Sequence, residues 1–325
     1  MTADSAPALS VLVLNHNYAE YLSECLESIL SQTFRDFELI VLDDASTDDS
    51  VRVIGPYLAD SRVRLVAHDK NHGYTRSLIE GTSGLSRGEY LMVVSADDFA
   101  LDPDAFSIQV DLLRCDSRHA ACFSAYTKVG PNSLLEIRRP LPADGTIAGR
   151  DLIERQLLER EFAILHSGTM IRASAYRVTS GYRADLKNYV DLAMWIALGN
   201  VGSFAYVNRP LYAYRIHDAQ LSGSGSRRRD MLREGLRVLR ETAADADHRG
   251  IGVTVSGALR TRVADLALAD AFANRRRMAL LRCMDAAMLE PRAALTASGW
   301  WLALSRASVG AWVWEMLASA RGRVS

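Results

Sequence analysis

The first hundred residues alternate between short apolar runs and segments in which apolar residues recur at helical spacing. Strand-length, largely apolar runs occupy residues 9–14, 37–42, 63–66 and 90–94. After the first run, Leu22, Cys25, Leu26 and Ile29 fall on one face of a helix, and another helix is predicted around Leu78. This β-α-β-α order predicts an α/β fold, Rossmann-like, with a mostly parallel sheet and helices on both faces. The strand-length runs do not alternate apolar with polar residues. This agrees with a parallel sheet, because parallel strands are buried on both sides.

The chain after residue 100 is mixed at first and then changes character. The middle predicts helices at 151–159 and 189–198 and strands at 120–126, 167–171, 204–207 and 211–214. A run of Ser and Gly at 222–226 predicts a linker or mobile loop. The pattern beyond it is almost purely helical. We therefore expect three parts, 1–100, 101–222 and 223–325, of which the last is an all-helical C-terminal extension.

Composition and charge exclude several classes of protein. Thirty-eight Lys and Arg against 39 Asp and Glu leave a net charge of −1 over 325 residues, so no global field favours nucleic acid. The four cysteines, Cys25, Cys115, Cys122 and Cys283, are scattered and do not have the spacing of a zinc site. The N-terminus does not have the basic and apolar regions of a signal peptide. We expect a cytoplasmic protein.

Polar residues gather where the predicted strands end. The first strand is followed by Asn15, His16 and Asn17, the second by Asp43-Asp44, and the fourth by 95–98 (Ser-Ala-Asp-Asp). Ligands bind at the carboxyl ends of strands in an open parallel sheet. Because neighbouring carboxylates repel, Asp97-Asp98 predicts a divalent cation, Mg²⁺ or Mn²⁺, whereas helix capping is the alternative and is preferred for Asp48 and Asp102.

A glycine-rich phosphate loop does not occur in the sequence. Neither Gly-x-Gly-x-x-Gly after the first strand nor Gly-x-x-x-x-Gly-Lys-Ser/Thr is present, which disfavours a dinucleotide-dependent dehydrogenase and a P-loop NTPase. A bound diphosphate would therefore be neutralised by metal and by a cation, for which Arg76, Arg215 and His217 are the candidates.

The order of these motifs resembles family 2 glycosyltransferases with the GT-A fold. The resemblance covers about residues 9–222 and rests on 10–22 (SVLVLNHNYAEYL), 28–34 (SILSQTF), 37–48 (FELIVLDDASTD), 71–76 (NHGYTR), 87–90 (RGEY), 95–98 (SADD), 191–195 (DLAMW) and 210–217 (PLYAYRIH). It implies a metal-dependent, inverting transferase that takes a sugar from a UDP- or dTDP-sugar. Residues 1–100 would bind the donor and residues 101–222 the acceptor.

The resemblance also implies roles for individual residues. Asp44 would accept a hydrogen bond from N3–H of the donor base, which Leu14 and Asn15 would line beside Asn17. Asp97 would face the ribose and the metal, and Asp98 would ligate the metal. His217 would touch the metal or the diphosphate, with a packed or surface histidine as the alternative. Asp191 would be the catalytic base that deprotonates the acceptor hydroxyl. For His166, a place in the acceptor pocket and a satisfied core histidine both remain open.

Three departures from the family pattern qualify this interpretation. Ser95 stands where many relatives have the first Asp of Asp-x-Asp, and Val190 replaces an acid before the base. They motivate an alternative, a decayed protein that binds nucleotide sugars or glycans without transfer; a nucleotidyltransferase is a weaker third hypothesis. The Gln-x-x-Arg-Trp pattern of processive members is absent, so transfer of single sugars is expected.

The C-terminal part carries an aromatic helix pattern. Trp300, Trp301, Trp312 and Trp314 flank Arg306, and the uncharged stretches on either side of that arginine are too short to cross a bilayer. One interpretation is packing onto the catalytic domain or within a homodimer. The other is an interfacial helix at the inner face of the cytoplasmic membrane, where it would meet a lipid-linked glycan acceptor in bacterial surface-glycan synthesis.

Overall fold

The structure is a computed structural model that describes residues 6–131, 133–158 and 164–217, with a few residues between 234 and 242. The chain divides into two compact units, 1–220 and 221–325. The architecture below belongs to the first unit. The predicted extension at 223–325 and its tryptophan segment lie almost wholly outside the described residues, and both stay predictions.

Strands and helices alternate through the first unit. Its strands are β1 (Leu9–Asn15), β2 (Phe37–Asp43), β3 (Val63–Ala67), β4 (Tyr90–Ser95), β5 (Phe99–Ala100), β6 (His119–Val129), β7 (Leu134–Arg138), β8 (Gly145–Ile147), β9 (Met170–Arg172) and β10 (Ser203–Arg215). Its α-helices are α1 (Ala19–Leu30), α2 (Ser50–Ile54), α3 (Tyr74–Ile79), α4 (Ala105–Cys115), α5 (Gly149–Leu158), α6 (Ala173–Val178) and α7 (Val190–Gly199). A 3₁₀ turn follows α2 at Gly55–Ala59, and a π-helical turn follows α3 at Glu80–Leu85.

The strands form one sheet in the order β3-β2-β1-β4-β9-β6-β10-β5, with β7 paired to β6 and β8 paired to β10. The first four strands in this order are parallel. The short strand β9 runs antiparallel to both β4 and β6, and β6 and β10 are again parallel. The predicted α/β fold is confirmed, with a sheet that combines parallel and antiparallel strands.

The core lies on both faces of the central strands. Every residue of β1 and β2 is buried, as their apolar sequences require. Leu9, Val11 and Val13 belong to a cluster that includes the apolar faces of α1 and α4. On the other face, Leu12 packs against Gly81 of the π-helical turn so closely that a Cβ there would lie 2.2 Å from Leu12. Alternate residues of one strand therefore anchor helical segments on opposite sides of the sheet.

Two predicted strands around Pro210 are in fact one. β10 runs without interruption past Pro210, but its register against β6 shifts between Val207 and Pro210 and again between Pro210 and Tyr212. Proline cannot donate a ladder hydrogen bond, and a bulge accommodates it inside the strand. The strand predicted at 167–171 is shorter, because Gly168 adopts φ +84° in the turn before β9.

Several elements do not follow from the apolar pattern. Helix α4 was not predicted, yet Phe106, Val110 and Leu113 complete the core beneath the sheet.

The preferred capping role of Asp48 is confirmed, because its carboxylate accepts hydrogen bonds from the backbone N–H of Ala19 and of Ser50, at the starts of α1 and α2. Among the helices of the described segments, none combines the length and the apolarity needed to cross a bilayer.

A close approach between α5 and α7 provides a test of this packing. A Cβ at Gly149 would lie 1.9 Å from the carbonyl oxygen of Gly199 and 2.3 Å from that of Gly202. Because backbone atoms cannot rotate away, we expect Gly149→Ala to lower the free energy of unfolding by about 2–3 kcal/mol. Urea-induced unfolding measures the loss. Gly145→Ala is the matched control, since a Cβ there meets nothing within 4 Å; equal midpoints for the two variants would contradict the packing.

Candidate active site

The parallel register brings three strand ends to one edge of the sheet. Asn15 at the end of β1 lies opposite Asp43 at the end of β2, and Leu14 lies opposite Ser95 at the end of β4. The polar residues that follow each strand therefore gather at the same edge, as the sequence predicted.

A buried acidic cluster lies beyond β4. Asp97 and Asp98 are 7% and 3% exposed. The end of β10 crosses this cluster, so that His217 Nε2 lies 3.1 Å from a carboxylate oxygen of Asp97 and the backbone N–H of Arg215 donates to Asp98 at 3.0 Å. The Ser167 hydroxyl donates to the other oxygen of Asp98. Of the three residues predicted as metal ligands, Asp97 and His217 are thus in contact, and Asp98 is adjacent to Asp97 with its own carboxylate held by Ser167 and Arg215.

Burial dominates the electrostatics of this cluster. Loss of solvent and the neighbouring Asp97 charge raise the pKa of Asp98 well above its usual range, against the opposing bonds from Ser167 and Arg215. Tyr18, whose ring meets His217 edge-on at 5.6 Å, has its pKa raised by burial and by both aspartates. The Nδ1 atom of His217 is buried without a hydrogen-bond partner. Clustered carboxylates and an imidazole in this setting fit a divalent cation, which would offset the repulsion.

The side chain of Arg215 also contacts the acidic cluster. Its Nε donates to the carbonyl of Asp97 at 2.9 Å, and another guanidinium nitrogen pairs with Glu24. The guanidinium also lies over the rings of Tyr21 and Phe99, at 4.8 and 5.1 Å from their centroids. Its predicted contact with a diphosphate stays a prediction, as does that of Arg76, which is exposed on α3.

Asp44 lies in a second polar cluster, after β2. Its Oδ1 accepts from His68 Nδ1 and from the backbone N–H of His72, and its Oδ2 accepts from the N–H of Gly73, each at 2.8 Å. Burial raises the pKa of Asp44, but these three bonds outweigh it and leave the pKa lowered. Asp44 is therefore an ionised acceptor, and Oδ2 has a lone pair available to a further donor.

The end of β1 forms the floor beside Asp44. Leu14 and Asn15 are buried, and Asn15 Nδ2 donates to Asp43 at 2.6 Å while its Oδ1 is buried without a partner. Asn17 adopts φ 61°, and its side-chain oxygen accepts from the backbone N–H of Thr47 at 2.7 Å. Asn15 and Asn17 therefore join the loops that follow β1 and β2, and their predicted contacts with a donor stay predictions.

Asp191 lies in the first turn of α7, as predicted. Its Oδ1 accepts from the N–H of Leu192 at 2.8 Å. A helix N-terminus favours an ionised carboxylate, but desolvation raises the pKa of Asp191 above its usual range because its cost exceeds the effect of the N–H groups. A carboxylate with a raised pKa is a better proton acceptor at neutral pH.

Hydrogen bonds join the side chains of Tyr74, His166 and Tyr182 in a line. The Tyr74 hydroxyl lies 2.8 Å from His166 Nδ1, and His166 Nε2 lies 2.8 Å from the Tyr182 hydroxyl. The negative charges of Asp191, Asp97 and Asp98 all raise the pKa of Tyr74, after the larger effect of burial. The Tyr74 hydroxyl is therefore within electrostatic reach of both the predicted base and the predicted metal ligands.

Sequence reasoning missed Tyr18, Tyr74 and Tyr182, and it left the place of His166 open. His166 lies between the hydroxyls of Tyr74 and Tyr182 and beside Trp195, at 5.8 Å between the centroids of the His166 and Trp195 rings. Two of the tyrosines carried a usable signal, Tyr18 inside the motif at 10–22 and Tyr74 inside the NHGYTR motif. Tyr182 is far from any motif in sequence.

Comparison with known proteins identifies related sequences. The profile of the family described as "Glycosyl transferase family 2" matches residues 10–179. Chondroitin synthase from Escherichia coli is 29% identical over 226 residues, which cover 68% of this chain. The chain spans 31% of the length of that relative and 21% of the length of two synthases from Pasteurella multocida.

Solved structures share the fold at low sequence identity. The structure of Staphylococcus aureus TarS 1–349 in complex with UDP-GlcNAc superposes with a TM-score of 0.62 at 14% identity, over 87% of this chain and 92% of that one. The mannosyltransferase PcManGT from Pyrobaculum calidifontis, in complex with GDP-Man and Mn²⁺, superposes with a TM-score of 0.56 at 17% identity, over 94% and 87% of the two chains. The fold expected from the motifs is confirmed for the described unit.

The buried imidazole of His166 predicts a dependence of stability on pH. Desolvation lowers the pKa of His166 to about 4, whereas the unfolded side chain titrates near about 6.5. Protons therefore bind the unfolded chain first, and stability falls as the pH drops from about 6.5 to about 4. We expect His166 to contribute up to about 3 kcal/mol to this fall. His166→Gln removes that contribution, so urea unfolding at several pH values would show a shallower decline; parallel curves for variant and wild type would contradict it.

Proposed function

Because the chain belongs to glycosyltransferase family 2, we propose that it transfers a single sugar from a UDP- or dTDP-sugar to an acceptor hydroxyl with inversion. One observation carries the proposal. The buried aspartates of a cluster with the chemistry of a metal site, Asp97 and Asp98 beside His217, and a half-buried carboxylate, Asp191, all raise the pKa of one hydroxyl, that of Tyr74. Transfer needs this combination, a place for the leaving diphosphate and a base for the incoming hydroxyl.

On the donor side, the proposed metal ligands are Asp97, Asp98 and His217, which would hold Mg²⁺ or Mn²⁺. A bound cation supplies positive charge that stabilises the diphosphate as a leaving group. The base of the donor would lie beside Leu14, Asn15 and Asn17, with the remaining lone pair of Asp44 Oδ2 accepting from N3–H of uracil or thymine. Arg76 and Arg215 are the proposed cations on the diphosphate side.

On the acceptor side, Asp191 would accept the proton of the attacking hydroxyl. The acceptor oxygen then forms a bond to the anomeric carbon while the bond from that carbon to the diphosphate breaks. A single displacement inverts the configuration. Burial favours this role because it raises the proton affinity of the carboxylate, and the N–H of Leu192 keeps one oxygen oriented.

The acceptor that we propose is a glycan or a lipid-linked glycan of a bacterial surface. The name of the Escherichia coli relative, a chondroitin synthase, supports a polysaccharide product. A screen of UDP-, dTDP- and GDP-sugars with oligosaccharide acceptors, followed by mass spectrometry, would identify the donor and the product. GDP-sugars belong in the panel because PcManGT was solved with GDP-Man.

Metal and donor binding are expected to depend on Asp98. Asp98→Asn keeps the shape of the side chain and an oxygen that can accept from the backbone N–H of Arg215, so the fold is expected to persist. We predict that Mn²⁺-dependent binding of UDP weakens by about 2–4 kcal/mol, or roughly 30- to 1000-fold in Kd. Isothermal titration with and without Mn²⁺ measures this loss. The control is Asp104→Asn, an exposed acid outside the cluster; unchanged Mn²⁺-dependent affinity in Asp98→Asn would refute the ligand assignment.

Proton abstraction is expected to depend on Asp191. Asp191→Asn keeps the shape of the side chain and the bond from Leu192 but cannot take a proton. We predict that UDP and Mn²⁺ binding survive while transfer falls by roughly 10²- to 10⁴-fold. Asp185→Asn is the control, since Asp185 is exposed and paired with Arg183. Transfer that drops in Asp185→Asn and persists in Asp191→Asn would move the base to Asp185.

A further inference from the structure

A second set of metal-ligating side chains lies at the ends of β2 and β3, apart from the Asp97–Asp98 cluster. An oxygen of Asp44 and one ring nitrogen each of His68 and His72 all lie within 4.8 Å of one another. The two imidazole rings are 4.4 Å apart between centroids. Ligand atoms bound at about 2.0–2.2 Å around one zinc ion are separated by less than this. Small rotations of the side chains would therefore bring all three onto one ion.

Each of the two histidines has a ring nitrogen without a hydrogen-bond partner, and His68 is bonded to Asp44 through its other ring nitrogen. His72 Nδ1 is buried without a hydrogen-bond partner. Buried polar atoms of this kind are rare, and an ion is one explanation for them. The His68 side chain is only 7% exposed, and its Nδ1 lies 2.8 Å from a carboxylate oxygen of Asp44. Bound metal would take the place of the proton between His68 and Asp44.

Glu80 supports the same arrangement from the other side of His68. Its Oε2 lies 3.2 Å from His68 Nε2, in the first residue of the π-helical turn. His68 Nδ1 donates to Asp44, so an ion would have to displace that proton; Nε2, which makes no hydrogen bond here, would then carry the proton and could donate it to Glu80. Metal-binding histidines are commonly oriented by such a partner, and its removal typically weakens metal binding by about 10- to 100-fold.

The chemistry of the ligands indicates which ion fits. Two imidazoles and one carboxylate suit Zn²⁺ and similar transition metals, whereas Mg²⁺ prefers oxygen ligands. The cluster at Asp97 and Asp98 has two carboxylates and one histidine and differs in this respect. Three protein ligands also leave a coordination position open for water or another small ligand.

We propose that Asp44, His68 and His72 form a binding site for a transition-metal ion such as Zn²⁺, and that the ion competes with the nucleotide for Asp44. The first statement stands on the side chains alone. The second rests on the proposed role of Asp44 in binding the donor base. An ion on the carboxylate occupies the acceptor that the base would need, so Zn²⁺ would act as an inhibitor that is relieved by chelation.

The test is a calorimetric titration of Zn²⁺ into metal-stripped protein in the presence of excess Mg²⁺, which occupies the oxygen-rich cluster. We expect saturable binding by the wild type, at least 100-fold weaker binding by His72→Gln and His68→Gln, and roughly 10-fold weaker binding by Glu80→Gln. His16→Gln is the matched control, because His16 contacts the backbone oxygen of Asp44 and not its carboxylate. Thermal unfolding without Zn²⁺ establishes that each variant is folded.

Wild-type protein without saturable Zn²⁺ binding, or folded His72→Gln with wild-type affinity, would overturn the site whatever the protein catalyses. Competition is tested separately, by titrating UDP and dTDP at increasing Zn²⁺. We expect Zn²⁺ to raise their apparent Kd in the wild type and not in His72→Gln. If Zn²⁺ binds through His72 while nucleotide affinity is unchanged, the metal site stands and the role of Asp44 in base binding falls.

Discussion

Strand β1 is hydrogen-bonded on both sides, to β2 and to β4, and all of its residues are buried. This parallel pairing sets the register of three strand ends and therefore the place of every polar residue that follows them. A shift of one residue would turn the buried faces of β1 toward the wrong helices. The close contact of Leu12 with Gly81 on one face, and the cluster around Val11 on the other, oppose such a shift.

Two adjacent buried aspartates are costly, and the surrounding fold limits that cost without removing it. Asp98 receives bonds from Ser167 and from the backbone of Arg215, while Asp97 meets His217. The pKa of Asp98 nevertheless stays well above its usual range, because these bonds do not replace the lost water. Residues from β4, β9 and β10 converge here, so the end of the last strand closes a cluster that the fourth strand begins.

The surroundings of His166 are organised by neutral groups instead. His166 is held uncharged by burial, between Tyr74 and Tyr182, and Trp195 packs beside it. A neutral imidazole donates through one nitrogen and accepts through the other, so the two tyrosines have opposite roles toward it. The hydroxyl of Tyr74, at one end of this line, has its pKa raised by the charges of Asp191, Asp97 and Asp98.

The sequence by itself determined the parts that depend on neighbouring residues. Apolar runs predicted β1, β2, β3 and β4, and the family motifs identified Asp97, Asp98, Asp191 and Asp44 as residues that follow strands or begin a helix. The capping acid Asp48 was predicted on the same local grounds.

Tertiary structure decided what depends on contacts between distant segments. The antiparallel insertion of β9, the continuity of β10 through Pro210 and the place of α4 arise from packing against partners far along the chain. The pKa of Asp191 is raised although the residue begins a helix, because desolvation is a property of the surroundings and not of the helix. The meeting of His68 and His72 beside Asp44, with Glu80 on the far side of His68, likewise follows from the path of the chain after β3; of these residues only Asp44 and His72 lie in family motifs.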